Sequence, residues 1–265
     1  MERVIRMDKA NDRLVYLTRR ADQRYWEEEH RPWAKKSLIE RGDRFVAEET
    51  RKYLPLGAKV IDAGCGTGAT VFGLRKAGFN AYGIDYDKQT VATIKSSFPD
   101  LNVQVGDVCK MPFSEGYFDG VWSLGVIEHF YDGYLPIILE TRRVLRPGGY
   151  LFLTVPSISP VKRLKIWLGH YDEVSSAELG KFFQFAFHPR DTIEVVTSMG
   201  FTLVQSFGRS GSMGLYEDAN SLSKLFFLNP DSRDTLSRII WRAADMILRK
   251  ISYHTRYFVF KRSEG

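Results

Sequence analysis

Three aspartates each close a short apolar segment in the middle of the chain, and together they predict a ligand site. Asp62 closes the first segment, Asp85 the second and Asp107 the third. If these segments are neighbouring parallel strands, their carboxyl ends meet at one edge of a sheet, where α/β sheets bind ligands. Carboxylates at such an edge can accept hydrogen bonds from the hydroxyl groups of a ligand.

A glycine cluster follows the first of these aspartates, at Gly64, Gly66 and Gly68. Glycines let the backbone turn sharply and let a ligand approach it closely. A helix that begins near Thr67 would point its free N–H groups at that ligand. Asp85 follows Gly64 by 21 residues, a position from which a carboxylate can bind both hydroxyls of a ribose. The pattern therefore indicates a site for an adenosine-type ligand.

The glycine pattern by itself leaves the kind of ligand open. Residues 64–69 also fit the G-x-G-x-x-G/A fingerprint of dinucleotide-binding proteins. A nicotinamide-dependent oxidoreductase on a similar sheet is therefore one alternative, although it would need a positioned Tyr/Lys or His pair for hydride transfer and would leave Asp107 unexplained. A second alternative is a protein that binds such a ligand without catalysing a reaction.

Strands that alternate with helices must position these residues, because parallel neighbours need crossover connections. From residue 59 onwards, apolar runs and helical patterns alternate and predict a doubly wound, mostly parallel sheet. The predicted strands are 60–63, 81–85, 102–107, 118–124, 150–155, 201–207 and 257–261.

The regions outside this alternation are predicted to cover the site. Residues 1–56 are interpreted as a helical lead-in or cap, with a helix over 34–54, and residues 57–265 as the main domain. Within that domain, long insertions at about 156–188 and 209–255 are expected to be functional covers.

Five motifs occur in register along the chain: VIDAGCGTG at 60–68, GIDYD at 83–87, GDV at 106–108, FDGVWSLGVIEH at 118–129 and VLRPGGYL at 144–151. In this order they resemble the class I S-adenosylmethionine-dependent methyltransferases, and among these the type 11-like small-molecule enzymes. The resemblance is close over about 57–155. It implies a Rossmann-like, seven-stranded sheet whose last strand is antiparallel, and S-adenosylmethionine as cofactor with S-adenosylhomocysteine as product.

The resemblance also implies roles for individual residues. Four residues of the turn would hold the methionine part of the cofactor: Gly64, Cys65, Gly66 and Gly68. Asp85 would bind the ribose, and Tyr86 would lie against the adenine. The adenine would also contact Asp107 and the Val108 backbone, the Leu124 carbonyl would face the ammonium group, and Asp62 would steady the glycine turn.

The residues for the methyl acceptor are predicted less directly. His129 follows Glu128 just past the fourth predicted strand, where it could take a proton from the acceptor; alternatively it is a packed histidine bonded to backbone. Further candidates for acceptor contacts are Tyr25, Trp26, Trp33 and His170. Relatives that act on quinone precursors and use a divalent metal have a glutamate where this chain has Gly125, so no metal is predicted.

Composition limits the partners and the location. The chain of 265 residues carries a formal charge of +6, spread without the clustered Lys/Arg of a nucleic-acid arm. It has two cysteines, Cys65 and Cys109, and neither a signal peptide nor a spanning segment is recognisable. We therefore expect a cytoplasmic enzyme with a small or lipid-like acceptor. An amphipathic helix at 231–251 could contact a membrane surface or a second copy.

Overall fold

The computed structural model describes residues 4–30, 35–211, 213–214 and 245–264. Ten strands occur in these described residues: β1 (Val4–Asp8), β2 (Arg13–Leu17), β3 (Lys59–Ala63), β4 (Asn80–Asp85), β5 (Val103–Val105), β6 (Phe118–Leu124), β7 (Leu145–Pro156), β8 (Phe182–Ala186), β9 (Phe201–Arg209) and β10 (Thr255–Arg262). They form two sheets, one of seven strands and one of three.

The seven-stranded sheet has the order β5-β4-β3-β6-β7-β10-β9. Strands β3 to β7 pair in parallel, while β10 is antiparallel to both of its neighbours. This confirms the predicted doubly wound sheet with an antiparallel last strand. Its strands are apolar on both faces, as a sheet covered on two sides requires: Val60 and Ile61 are adjacent in β3, fully buried, and belong to the cores on opposite faces.

Helices lie between the strands of the described chain: α1 (Gln23–His30), α2 (Lys36–Ile39), α3 (Arg44–Arg51), α4 (Ala69–Lys76), α5 (Lys88–Ser97), α6 (Leu135–Val144), α7 (Pro160–Trp167) and α8 (Pro189–Ser198). Aspartates cap two helices that matter for the site. Asp43 accepts from the Val46 N–H at the start of α3, and Asp87 accepts from the Gln89 N–H at the start of α5. Each cap satisfies a backbone donor that the helix leaves open.

The predicted helical lead-in over 1–56 is wrong for its first part. Residues 4–17 form the hairpin of β1 and β2, and β2 pairs with the distant β8 in the three-stranded antiparallel sheet. The partner strand lies about 170 residues further along the chain, as the register Leu14↔Ala186 shows. A local sequence pattern does not predict such a pairing, because the strand is stabilised by its distant neighbour and by burial. We call this small sheet the cover sheet.

The single helix predicted over 34–54 is also wrong, because the chain breaks at Gly42. Gly42 has φ +64°, and a side chain there would come within 2.7 Å of the Gly73 Cα. The two backbones therefore touch, and α2 ends before the contact while α3 restarts after it with Asp43 as its cap. Glycine is needed at this close approach.

The predicted insertion at 156–188 contains α7, a 3₁₀ segment at Ser176–Lys181 and β8. Since β8 belongs to the cover sheet, this insertion and the N-terminal hairpin form one structural unit. Most of the insertion at 209–255, and the predicted helix at 231–251 up to residue 244, lie outside the described residues. Among the described residues, no helix combines the length and the apolar character needed to cross a lipid bilayer.

Candidate cofactor and acceptor site

A cavity of about 560 Å³ opens at the carboxyl edge of the large sheet. It lies beside β3 and β6, where the chain connections turn to opposite sides of the sheet and α/β folds leave a crevice for ligands. The described residues lining it are Ala21, Asp22, Trp26, His30, Gly64, Asp85, Tyr86, Gly106, Asp107, Val108, Leu124, Gly125, Val126, His129 and Phe130. Six of the ten residues predicted to bind the cofactor are among them.

The Asp85 carboxylate organises the turn between β3 and α4. Its Oδ2 accepts a hydrogen bond from the Gly66 N–H at 2.7 Å, and its Oδ1 accepts one from the Asp87 N–H at 3.0 Å. Asp85 thereby fixes both the glycine turn and the start of α5. A carboxylate can accept about four hydrogen bonds, so these two leave capacity for the hydroxyls of a ligand.

Asp62 and Cys65 lie behind the turn and do not line the cavity. Asp62 is buried, its Oδ1 has no hydrogen-bond partner, and burial together with the neighbouring Asp85 raises its pKa well above the usual value. Burial likewise raises the pKa of the Cys65 thiol, which makes it a poor nucleophile. Gly66 and Gly68 are also part of the turn without lining the cavity. These four residues therefore form or support the turn on its side away from the cavity.

The far end of the cavity is formed by the end of β4 and the loop after β5. Tyr86 is partly exposed there, and Val108 is buried. Asp107 lies in an exposed turn in which its Oδ1 accepts from the Cys109 N–H at 2.8 Å. An exposed aromatic ring, an apolar side chain and a carboxylate are together suited to bind a flat base with an exocyclic amino group.

His129 lines the opposite end of the cavity, on a 3₁₀ segment at Ile127–His129. Its Nδ1 lies 2.8 Å from the Phe183 carbonyl oxygen of β8. Because a carbonyl can only accept, Nδ1 carries the hydrogen, and Nε2 of the neutral ring keeps its lone pair. Burial lowers the pKa of His129 to about 4. The ring is therefore neutral at physiological pH and can accept a hydrogen bond.

Helix α1 forms the wall above this end. The Trp26 ring makes an edge-to-face contact with His129, with 4.8 Å between centroids, and lies 5.4 Å from the ring of His30. Asp22 caps the helix by accepting from the Tyr25 N–H at 2.9 Å. The wall thus joins α1, the 3₁₀ segment and the cover sheet.

The structure brings only one of the four predicted acceptor residues to the cavity. Trp26 lines it, whereas Tyr25 packs behind it against Phe183, with 5.3 Å between ring centroids. His170 is exposed in the turn after α7 and is not among the lining residues, and Trp33 lies outside the described residues. Their roles stay predictions.

Sequence reasoning missed several lining residues, above all His30. This residue is the last of α1, in a stretch that reads as an irregular lead-in with a proline after it. Only its contact with a glycine turn 36 positions later places it at the site. Phe130 and Asp22 were missed for the same reason, since each reaches the cavity through tertiary packing.

Glu128, next to His129, is a buried carboxyl group. It is 2% exposed, its Oε2 has no hydrogen-bond partner, and burial raises its pKa to about 8. Its Oε1 lies 3.5 Å from the position that a side chain on Gly125 would take. The protonated form therefore predominates at neutral pH beneath the loop that lines the cavity.

This burial predicts a specific pH dependence of stability. The folded pKa of Glu128, about 8, lies above the usual 4.5, so the free energy of unfolding falls as pH rises through this window. Glu128→Gln removes the ionisable group. As pH rises, the free energy of unfolding of the variant should therefore increase relative to that of the wild type, by up to about 1.4 kcal/mol per pH unit. Urea unfolding between about pH 5 and pH 8 measures this difference.

Glu194→Gln, at an exposed position of α8, is the matched control. Its free energy of unfolding should depend on pH in the same way as that of the wild type. Parallel curves for Glu128→Gln as well would show that Glu128 is not held protonated by burial.

The fold is similar to that of solved methyltransferase structures. A TehB-like SAM-dependent methyltransferase from Corynebacterium glutamicum superimposes with a TM-score of 0.55 at 20% sequence identity, covering 91% of this chain and 100% of that one. Residues 61–153 match the family described as "Methyltransferase domain". This match covers about a third of the chain, which is therefore similar to methyltransferases over that part.

Two relatives illustrate the extent of the similarity. The "Probable S-adenosylmethionine-dependent methyltransferase" of Mycolicibacterium smegmatis is 31% identical over 148 residues, which are 54% of this chain and 57% of that protein. The 2-methyl-6-phytyl-1,4-hydroquinone methyltransferase of Synechocystis is 37% identical over 102 residues, 37% of this chain and 32% of that one. The chain spans about half the length or less of these curated relatives.

Proposed function

We propose that this protein transfers a methyl group from S-adenosylmethionine to a small or lipid-like acceptor. The observation that carries the proposal is the cavity itself, in which the glycine turn, Asp85 and Asp107 meet at one sheet edge. Its volume of about 560 Å³ falls within the range of roughly 300–1,000 Å³ of small-ligand sites.

The charges of the cavity favour this cofactor over a dinucleotide. Asp22, Asp85 and Asp107 line the cavity, and among its described lining residues there is no lysine or arginine. Carboxylates attract a sulfonium cation and repel the pyrophosphate of a nicotinamide cofactor. The Gly66 N–H, which a dinucleotide fingerprint would offer to phosphate, is already bound to Asp85.

The oxidoreductase alternative has a second difficulty. A Tyr-x-x-x-Lys spacing occurs at Tyr257 and Lys261, but both lie on β10. Tyr257 is fully buried in the core that contains Trp122, and neither residue lines the cavity. This pair is therefore not placed to serve hydride transfer to a ligand at the site.

The proposed cofactor would lie along the residues that line the cavity, from one end of the cavity to the other. Asp85 would bind the ribose with its remaining acceptor capacity, and Asp107 would bind the adenine amino group beside Tyr86 and Val108. The methionine end would extend past Gly64 towards the Leu124 carbonyl, with Asp62 and Cys65 supporting the turn from behind.

For methyl transfer, the protein needs mainly to bind and orient the methyl donor and the acceptor. S-adenosylmethionine supplies a methyl group already activated by its positive sulfur, and the acceptor must approach it in line. Trp26, Val126 and Phe130 line the cavity near His129. These apolar side chains can exclude water from the path of the acceptor.

His129 would orient the acceptor rather than carry its proton away. Its Nε2 lone pair can accept a hydrogen bond from an acceptor O–H or N–H. A pKa of about 4 makes complete proton uptake unfavourable near neutral pH. The Phe183 carbonyl fixes the ring so that this lone pair keeps its direction.

Cofactor binding tests the proposal directly. By isothermal titration calorimetry, the wild type should bind S-adenosylhomocysteine and show no binding of NADH. Asp85→Asn should raise the Kd for S-adenosylhomocysteine by about 10- to 100-fold, because one of its acceptor oxygens becomes an amide donor.

Asp119→Asn is the matched control, since Asp119 accepts from the Lys59 N–H at 2.8 Å at the opposite end of β3. It should lose stability without losing affinity. Tight binding of NADH with no binding of S-adenosylhomocysteine would reject the proposed function.

Methyl transfer distinguishes an enzyme from a cofactor-binding subunit. We expect label from methyl-tritiated S-adenosylmethionine to enter a small-molecule or lipid fraction of extracts from the cells that make the protein. His129→Ala should lower this transfer roughly 10-fold, as expected for one lost hydrogen bond, with the Kd for S-adenosylhomocysteine unchanged. Between about pH 5.5 and 8, the rate should show no titration of His129, because its pKa is about 4.

Binding without transfer into any fraction would favour the non-catalytic alternative. A His129→Ala variant with full transfer would remove His129 from the acceptor site.

We also propose that the acceptor side faces an anionic membrane. The Synechocystis relative is named for a phytyl hydroquinone, a lipid-like compound. In this chain, α7 begins four residues after β7 ends at the carboxyl edge. Its Trp167 is 80% exposed, and Leu164 and Leu168 are exposed beside it.

The segment 246–251 extends this surface. The Val161 N–H donates to the Ile251 carbonyl at 3.1 Å, and both Ile247 and Ile251 are exposed. No acidic residue occurs in 160–171 or 246–256, while Arg163, Lys165, Arg249 and Lys250 do. Exposed apolar groups among basic ones match an anionic lipid surface, so this is the part of the predicted 231–251 contact that the described residues support.

Vesicle co-sedimentation tests this surface with the full chain. Binding should require anionic lipid, weaken between about 0.1 and 0.5 M NaCl, and fall at least fivefold in Trp167→Ser. Leu139→Ser, at an exposed position of α6, is the control and should bind like the wild type.

Three results would overturn the membrane proposal: no binding to anionic vesicles, a dimer in solution that Trp167→Ser dissociates, or a large loss of thermal stability in Trp167→Ser alone. The last result would mean that the chain itself covers Trp167. A cytoplasmic location and the absence of a nucleic-acid partner remain expectations from the sequence.

A further inference from the structure

The last residue of α1 lies directly over the glycine turn. The Nε2 atom of His30 is 3.1 Å from the position that a side chain on Gly66 would occupy, and Cε1 is 3.4 Å from it. His30 also lines the cavity, and its side chain is mostly buried. An imidazole edge therefore stands where any ligand that follows the turn must pass.

The negative charges of the cavity leave one part of the cofactor without a partner. The amino-acid end of S-adenosylmethionine carries a carboxylate beside its ammonium group. The carboxylates that line the cavity are suited to the cation and repel the anion. Among the described lining residues, the only basic side chains are His30 and His129.

His129 does not fit the cofactor carboxylate. Its Nδ1–H is already donated to the Phe183 carbonyl. The remaining Nε2 is an acceptor in the neutral ring, and the lowered pKa keeps the ring neutral. Two acceptors cannot form a hydrogen bond with one another, so of these two basic side chains only His30 is suited to donate to the carboxylate.

A buried carboxylate lies near the other ring nitrogen of His30. Its Nδ1 lies 3.7 Å from Asp87 Oδ2, on the side away from the turn. Asp87 is itself fully buried and fixed, because it caps α5 by accepting from the Gln89 and Thr90 N–H groups at 3.0 and 3.2 Å. With Nδ1 facing this carboxylate, Nε2 faces Gly66 and the methionine end of the proposed cofactor position.

We propose that His30 binds the carboxylate of S-adenosylmethionine, donating from Nε2 across the glycine turn. The proposal rests on the proposed function, since it assigns a residue to that cofactor. His30 would then place a hydrogen-bond donor beside the anionic end of the cofactor.

This role would also couple the two halves of the site. Trp26 and His30 are four residues apart in α1, so their side chains lie on the same face of the helix. Cofactor binding through His30 would hold Trp26 against His129, where the two rings are 4.8 Å apart. The bound cofactor would thus help to keep the acceptor wall in place.

Two ligands that differ only in the carboxylate test the proposal by calorimetry. S-adenosylmethionine and its decarboxylated form share the adenosine, the sulfonium and the ammonium group. In His30→Ala, the Kd for S-adenosylmethionine should rise about 10-fold, as expected for one charge-assisted hydrogen bond. The Kd for the decarboxylated form should stay within about twofold of the wild type, because it never used that bond.

Two further variants complete the experiment. His30→Gln retains an N–H donor and should restore part of the affinity for S-adenosylmethionine. His170→Ala removes an exposed histidine outside the cavity and should leave both affinities unchanged. Thermal unfolding of each variant, measured without ligand, shows whether α1 is still folded.

The outcomes separate this inference from the function on which it rests. Equal weakening of both ligands in His30→Ala would mean that His30 acts on the turn and not on the carboxylate. Tighter binding of S-adenosylmethionine in that variant would mean that His30 occludes the site. If the wild type binds neither ligand, the proposed function itself fails, and the assignment of His30 fails with it.

Discussion

The carboxylate of Asp85 is the constraint on which the site depends. One oxygen holds the Gly66 N–H at 2.7 Å and the other holds the Asp87 N–H at 3.0 Å. These bonds join the turn after β3 to the turn after β4, which are neighbours in the sheet but separated by a whole helix in the chain. Since Asp85 is buried, both bonds form in a medium where charge-assisted hydrogen bonds are strong.

The same arrangement sets the electrostatic character of the cavity. Asp85 stands between the buried Asp62, whose pKa it helps to raise, and Asp87, which caps α5. This concentration of acidic groups favours a cationic ligand. An anionic group of the same ligand would then depend on the hydrogen-bond donors at the site. The proposed choice of cofactor and the proposed role of His30 both rest on this charge distribution.

The proposed acceptor side is built from segments that are far apart in the chain. Helix α1 supplies Trp26, the 3₁₀ segment after β6 supplies His129, and β8 supplies the carbonyl of Phe183 that fixes the histidine ring. The cover sheet ties these segments together by pairing the N-terminal hairpin with β8.

The sequence by itself determined the large sheet and the residues that gather at its carboxyl edge. Apolar segments such as Val60–Ala63 and glycines at a sharp turn are local signals, and carboxylates at strand ends converge because parallel strands must align. Only the tertiary structure decided the cover sheet, the break at Gly42 and the position of His30. Each depends on a contact between distant residues: β2 with β8, Gly42 with Gly73, and His30 with Gly66. A local pattern cannot encode such contacts, because the stabilising partner comes close only after the chain has folded.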